Sequence, residues 1–90
     1  MGKINNIGTY TLAVGTYPVV RNDGVNVLAL RLSAGGSATY IGAAVIGSFG
    51  SSTAQNLVAG ETTLIASPNE PIDGLSITVT VGTVQVLTNQ

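Results

Sequence analysis

The sequence contains no cysteine, no histidine and no tryptophan. Without cysteine there is no disulfide framework and no thiolate to act as nucleophile or metal ligand, and the redox compartment stays open. Without histidine a hydrolytic triad lacks its usual base. Charged residues make up 8% of the chain, against roughly 25% in an average globular domain. They are Lys3, Arg21, Asp23, Arg31, Glu61, Glu70 and Asp73. Three scattered cations cannot neutralise a run of phosphates, which rules out a basic nucleic-acid footprint, and no nucleic-acid partner is expected. The four carboxylates are too sparse for an acidic tail.

Long hydrophobic runs are also missing. No stretch approaches the ~20 apolar residues of a membrane-spanning helix, so no membrane partner is expected. Met1-Gly2-Lys3-Ile4-Asn5-Asn6-Ile7 has no apolar core of signal-peptide length, and the expectation is a soluble protein made without a secretion signal. Gly2 follows Met1, but position 6 is Asn where myristoylation wants Ser or Thr. A chain of ninety residues makes one domain with a small core, burying about 60–65% of its unfolded surface. The net charge of -1 gives little self-repulsion, and values near zero favour association. With no disulfide staple, oligomerisation or docking on a larger body is the stabilising device this composition allows.

What is present is β-strand patterning. From Leu75 to Val81 the odd positions Leu75, Ile77, Val79 and Val81 are apolar and alternate with Ser76, Thr78 and Thr80, the period of a half-buried strand. Gly82-Thr83 has the form of a two-residue type II′ connection, and Val84 and Val86 resume the alternation, so a terminal hairpin is expected. Upstream, Ser67-Pro68-Asn69-Glu70-Pro71 interrupts regular structure. Tyr10, Leu12 and Val14 share one face of a first strand, and Gly15-Thr16 turns. Tyr17–Arg21 is a short strand whose Pro18 restricts it to an edge or to its first residues. Asn22-Asp23-Gly24 predicts a hairpin into Val25–Leu32.

The centre of Val25–Leu32 is apolar on both faces. That marks a strand covered on both sides or one lying across an oligomer interface. The short length of Val25–Leu32, with Val25 and Val27 β-branched, favours strand over helix there. Ala38–Ile46 is a strand interrupted by Gly42, the mark of a bulge. Gly47–Asn56 is a small-residue loop carrying a lone Phe49. With Leu57-Val58 and Thr62–Ala66, the count is about seven or eight short strands separated by turns. The expected fold is all-β, a small antiparallel β-sandwich or jelly-roll-like barrel. Met1–Gly8 is expected to be an N-terminal arm ahead of a single domain over 9–90. Ile4 and Ile7 are the arm's apolar anchors and dock on a neighbour rather than on their own core.

No catalytic constellation emerges. Gly47-Ser48-Phe49-Gly50-Ser51 does not match a nucleophile elbow. Glu70 and Asp73 sit in a Pro-bracketed turn, where Asp73-Gly74 most simply caps a strand and a solvated turn is a better reading than a calcium loop. Gly35-Gly36 lacks the rest of a phosphate loop. Tyr10 and Tyr40 fall in apolar patterns that fit core or interface better than a sugar platform. No catalytic, cofactor-binding or metal-binding residue is assigned, and no cofactor is expected. The partner-binding candidates are Ile4, Ile7 and Phe49.

The order of elements carries a resemblance. A Gly/Ser-rich loop, Leu57-Val58-Ala59-Gly60-Glu61-Thr62-Thr63-Leu64, a Pro-containing turn and Ile72-Asp73-Gly74-Leu75 through Gly82-Thr83-Val84-Gln85-Val86 follow one another. Over roughly Tyr40 to Leu87 this resembles small β-sandwich capsid decoration (cement) and head-fibre proteins of tailed bacteriophages. Gly60-Glu61 and Gly82-Thr83-Val84 match best; the first forty residues match nothing in that family. The resemblance implies a non-enzymatic virion protein on the outer capsid surface. It would bind the major capsid protein at symmetric positions and reinforce the shell as a homo-oligomer, with a trimer favoured. A receptor- or carbohydrate-binding β-domain of a phage fibre or spike is the alternative.

Overall fold

The computed structural model describes residues 4, 8–42, 51–66 and 71–88. These form eight strands: β1 (Thr9–Leu12), β2 (Gly15–Val19), β3 (Val27–Leu32), β4 (Ser37–Gly42), β5 (Ser51–Asn56), β6 (Thr62–Ala66), β7 (Leu75–Val81) and β8 (Val84–Thr88). Among the described residues the helical content is a single 3-10 turn, Arg21–Asp23. Two four-stranded antiparallel sheets have the orders β1-β8-β3-β6 and β2-β7-β4-β5. The pairs β1/β8, β2/β7, β3/β6 and β4/β5 describe one long antiparallel ribbon rolled onto itself, and β3/β8 and β4/β7 close the two sheets. This is the strand order of a jelly roll, and the all-β sandwich expected from the alternation is the observed fold.

The inward residues come from every second position. Leu28, Leu30 and Leu32 of β3 face Leu75, Ile77 and Val79 of β7 across a core that includes Leu12, Val19, Tyr40, Ile65, Val84 and Val86, all buried. Connections add Val25, Leu57 and Ile72. Thr88 is a buried polar residue of the sheet end, and its hydroxyl is satisfied. It accepts from the Gly8 N–H at 2.8 Å and donates to the Gly8 carbonyl at 3.3 Å.

Several local expectations are corrected. Val81 is exposed, because the core ends at Val79. β7 and β8 are not a hairpin, since they belong to different sheets and Gly82-Thr83 is a corner between them. The corner's polar groups are met by the β3–β4 connection: Thr83 N–H donates to Ser33 Oγ at 3.1 Å and Ser33 N–H to the Thr83 carbonyl at 3.0 Å. Asn22-Asp23-Gly24 is likewise no hairpin. Residues 21–23 make the 3-10 turn, which ends on Gly24 in the left-handed conformation (φ 70°) and sends the chain from one sheet to the other. Asp73 does not cap its own strand; its Oδ1 accepts from the Arg21 N–H at 3.1 Å and steadies that turn. The first strand stops at Leu12, which leaves Val14 exposed, and Gly15 opens β2 instead of turning the chain.

Other readings hold. β2, with Pro18, is an edge strand, where a missing N–H costs no ladder bond. Gly42 sits at a register shift between β4 and β5, and its φ of 96° lies where glycine is favoured. Tyr40 is in the core and Tyr10 packs against it, half-buried.

Ile4 requires a further correction. It is fully buried in the protein's own core, and its N–H donates to the Pro18 carbonyl at 2.9 Å. One Ile side chain stabilises by roughly 1.5–3 kcal/mol when buried, enough to hold the chain at that point against the sandwich. Ile4 is therefore a core residue and not a docking anchor. The other two candidates, Ile7 and Phe49, lie outside the described residues.

Candidate functional site

The two outer faces of the sandwich differ sharply, and the strand registers show how. On the β2-β7-β4-β5 face, Thr16, Thr78, Thr39 and Asn56 form one row across the four strands. Pro18, Ser76 and Ile41 form the next. The Thr16 and Thr78 hydroxyls lie 3.3 Å apart, and Thr80 donates to the Ser37 carbonyl at 3.0 Å. Hydroxyls dominate this face, although Ile41 is 37% exposed among them, and it is the ordinary outside of an antiparallel sandwich.

The β1-β8-β3-β6 face is different. One row reads Thr9, Leu87, Ala29, Leu64, and Val27 beside Ala66 extends it along β3 and β6. Leu64 is 65% exposed and Leu87 50%. The adjacent row reads Thr11, Gln85, Arg31, Thr62. Apolar side chains here are neighbours in register, so they form a patch rather than isolated exposures, and the largest apolar patch of a monomer is often functional. Strands about 4.8 Å apart and same-face residues about 7 Å apart give it an extent of roughly 300 Å².

A shallow groove of 240 Å³ runs along this face between Leu87, Ala29 and Thr9 on the apolar side and Arg31, Gln85 and Thr62 on the polar side. A second hollow of 330 Å³ continues past Arg31 and Gln85 towards Ser33, Gly60 and Thr83 at the sheet corner. Arg31, the one cation of the face among the described residues, stands where the two meet. A planar guanidinium beside an amide and two threonine hydroxyls offers donors to a carboxylate on a docked surface. Among the described residues no group of three or more carboxylate, imidazole or thiol side chains converges as a metal site would require.

Of the sequence-assigned partner residues, Ile4 is in the core and not on this face, and Ile7 and Phe49 lie outside the described residues. The apolar residues of the face, Val27, Ala29, Leu64 and Leu87, went unassigned, yet each stands next to an inward apolar neighbour: Leu28, Leu28 and Leu30, Ile65, and Val86. In a half-buried strand two consecutive apolar residues cannot both face the core. That break of alternation in three adjacent strands was the available signal, and the double-sided reading of Val25–Leu32 captured the part of it carried by β3.

No protein-family model matches the chain, no curated protein is significantly similar to it in sequence, and no solved structure is significantly similar to it in fold.

Proposed function

We propose that the protein is a non-enzymatic structural component of a virion. It is a capsid decoration (cement) protein that binds the outer capsid surface through the β1-β8-β3-β6 face and stabilises the shell, with the major capsid protein as its partner. The observation that carries the reading is that face: contiguous apolar residues in register on the outside of a sandwich whose opposite face is hydroxylated. Removing Leu87, Leu64 and Val27 from water supplies the attraction. Arg31 and Gln85 supply orientation by meeting a carboxylate or carbonyls on the shell. The low charge of the chain suits a protein that works as one of many packed copies. The jelly-roll order is shared with capsid and lectin domains alike, and as an analogy of fold it selects neither.

The groove favours a second reading, a receptor- or carbohydrate-binding domain of a fibre or spike, because its polar wall of Arg31, Gln85 and Thr62 resembles what a sugar would need. The two readings part in one comparison. Purified protein mixed with empty shells should co-sediment with them and saturate at a fixed ratio to the major capsid protein, and it should give no hit on a glycan array. A glycan hit that Arg31→Ala abolishes, without shell binding, would reverse the order of the two.

A further inference from the structure

Among the described residues the four sheet edges are not equally protected. An edge strand presents unpaired N–H and C=O groups and is a template for another chain unless something blunts it. In the β2-β7-β4-β5 sheet both edges are blunted. β2 carries Pro18, and the Pro18 carbonyl already accepts from Ile4. β5 meets β4 through the irregular register at Gly42. In the other sheet β6, Thr62-Thr63-Leu64-Ile65-Ala66, has no proline and no charge, and among the described elements it pairs with β3 alone. Its outward Leu64 is among the most exposed apolar residues described, at 65%. The opposite edge, β1, is shorter and turns Thr9 and Thr11 outwards.

We propose that β6 is a homodimerisation edge: two copies pair antiparallel through β6 about a two-fold axis at Leu64, joining their β1-β8-β3-β6 sheets into one eight-stranded sheet. The partner is a second copy of this chain for three reasons. An edge backbone is recognised by a strand, and a β-rich, uncharged strand is what this chain itself supplies. The net charge of -1 opposes pairing very little. An isologous pairing also closes at two, whereas β6 against β1 of the next copy would propagate. Full overlap of a five-residue strand with itself places Leu64 opposite Leu64 of the second copy and Thr62 opposite Ala66, all on the outer face. There each Leu covers the other.

The pairing goes beyond the docking proposal and does not depend on it, although it bears on it through area. One face of roughly 300 Å² is well under the ~800 Å² per partner of a standard stable interface. Two faces in one continuous sheet bring it to about 600 Å², nearer that value. The unit is then a dimer, where the resemblance favours a trimer.

The test is sedimentation equilibrium on the full chain between about 5 and 500 μM, with Leu64→Lys and Leu64→Glu. These substitutions lie on an exposed position and leave the core untouched, which circular dichroism verifies. The wild type should show a concentration-dependent monomer–dimer equilibrium. Each charged variant should raise the dissociation constant at least about tenfold, since like charges directly opposite repel. An equimolar mixture of the two variants should recover the dimer, because Lys then faces Glu. A wild type that stays monomeric throughout overturns the proposal, as do variants that dimerise like the wild type. A mixture that remains monomeric overturns the Leu64 register.

Discussion

Gly42→Ala should destabilise the protein by about 3 kcal/mol, the combined cost of a side chain in the left-handed region and of overpacking against backbone. Gly42 has a φ of 96°, and a Cβ built there would collide with the Gly74 carbonyl oxygen. That oxygen belongs to backbone next to Leu75, the partner of Gly42 in the β4/β7 ladder, so it cannot rotate away like a side chain. Relief requires the end of a central strand pair to open. For a chain of this size the loss corresponds to a fall in melting temperature of roughly 12–24 °C. Gly35→Ala is the control: its φ is also positive, at 76°, but nothing lies within 4 Å of the added Cβ. It should cost only the backbone strain, about 1–2 kcal/mol. Denaturant unfolding of the two variants side by side checks this, and equal losses would mean that the approach of Gly74 is not what requires glycine at position 42.

Ile4→Ala should cost about 2–4 kcal/mol, as removal of a fully buried Ile does elsewhere. Against a total stability on the order of 5–13 kcal/mol for ninety residues, that is a large share. Deleting residues 1–8 should cost more. It also removes the Ile4 bond to Pro18 and the Gly8 groups that satisfy the buried Thr88. The sequence favours the opposite outcome, an arm whose removal leaves the sandwich untouched. Urea unfolding of the deletion variant separates the two: an unchanged midpoint would make residues 1–8 an appendage.

Strands were legible because period two is a local property. Leu75-Ser76-Ile77-Thr78-Val79 and Val84-Gln85-Val86 announce which residues turn inwards, and the burial of these five apolar residues follows. Pairing was not legible, because it is decided far along the chain. Gly8 bonds Thr88, 80 positions away. Gly82-Thr83 has the composition of a hairpin turn but is a corner because β7 and β8 pair in different sheets, and Ser33, distant in sequence, meets its hydrogen bonds. Ile4 was misread for a related reason: a single Ile among Lys, Asn and Gly carries no periodicity, and what buries it is a tertiary fact. For the candidate face, the hint was the adjacent apolar pairs Leu64-Ile65 and Val86-Leu87. Knowing that they lie on one surface needs the order β1-β8-β3-β6, which no local pattern contains.

The measurement that tests the central claim most directly compares shell binding by two variants charged on opposite faces. Leu87→Glu places a carboxylate in the middle of the apolar row, at a position 50% exposed; Thr16→Glu places one on the hydroxylated face. Both substitutions sit at partly or fully exposed strand positions, where changes in stability are usually small. In a co-sedimentation titration with empty shells, Thr16→Glu should bind like the wild type. Leu87→Glu should lose at least about tenfold in affinity, equivalent to some 1.4 kcal/mol, by stranding a charge against an apolar surface. Undiminished binding by Leu87→Glu, or a loss confined to Thr16→Glu, would contradict the assignment of the β1-β8-β3-β6 face as the docking surface.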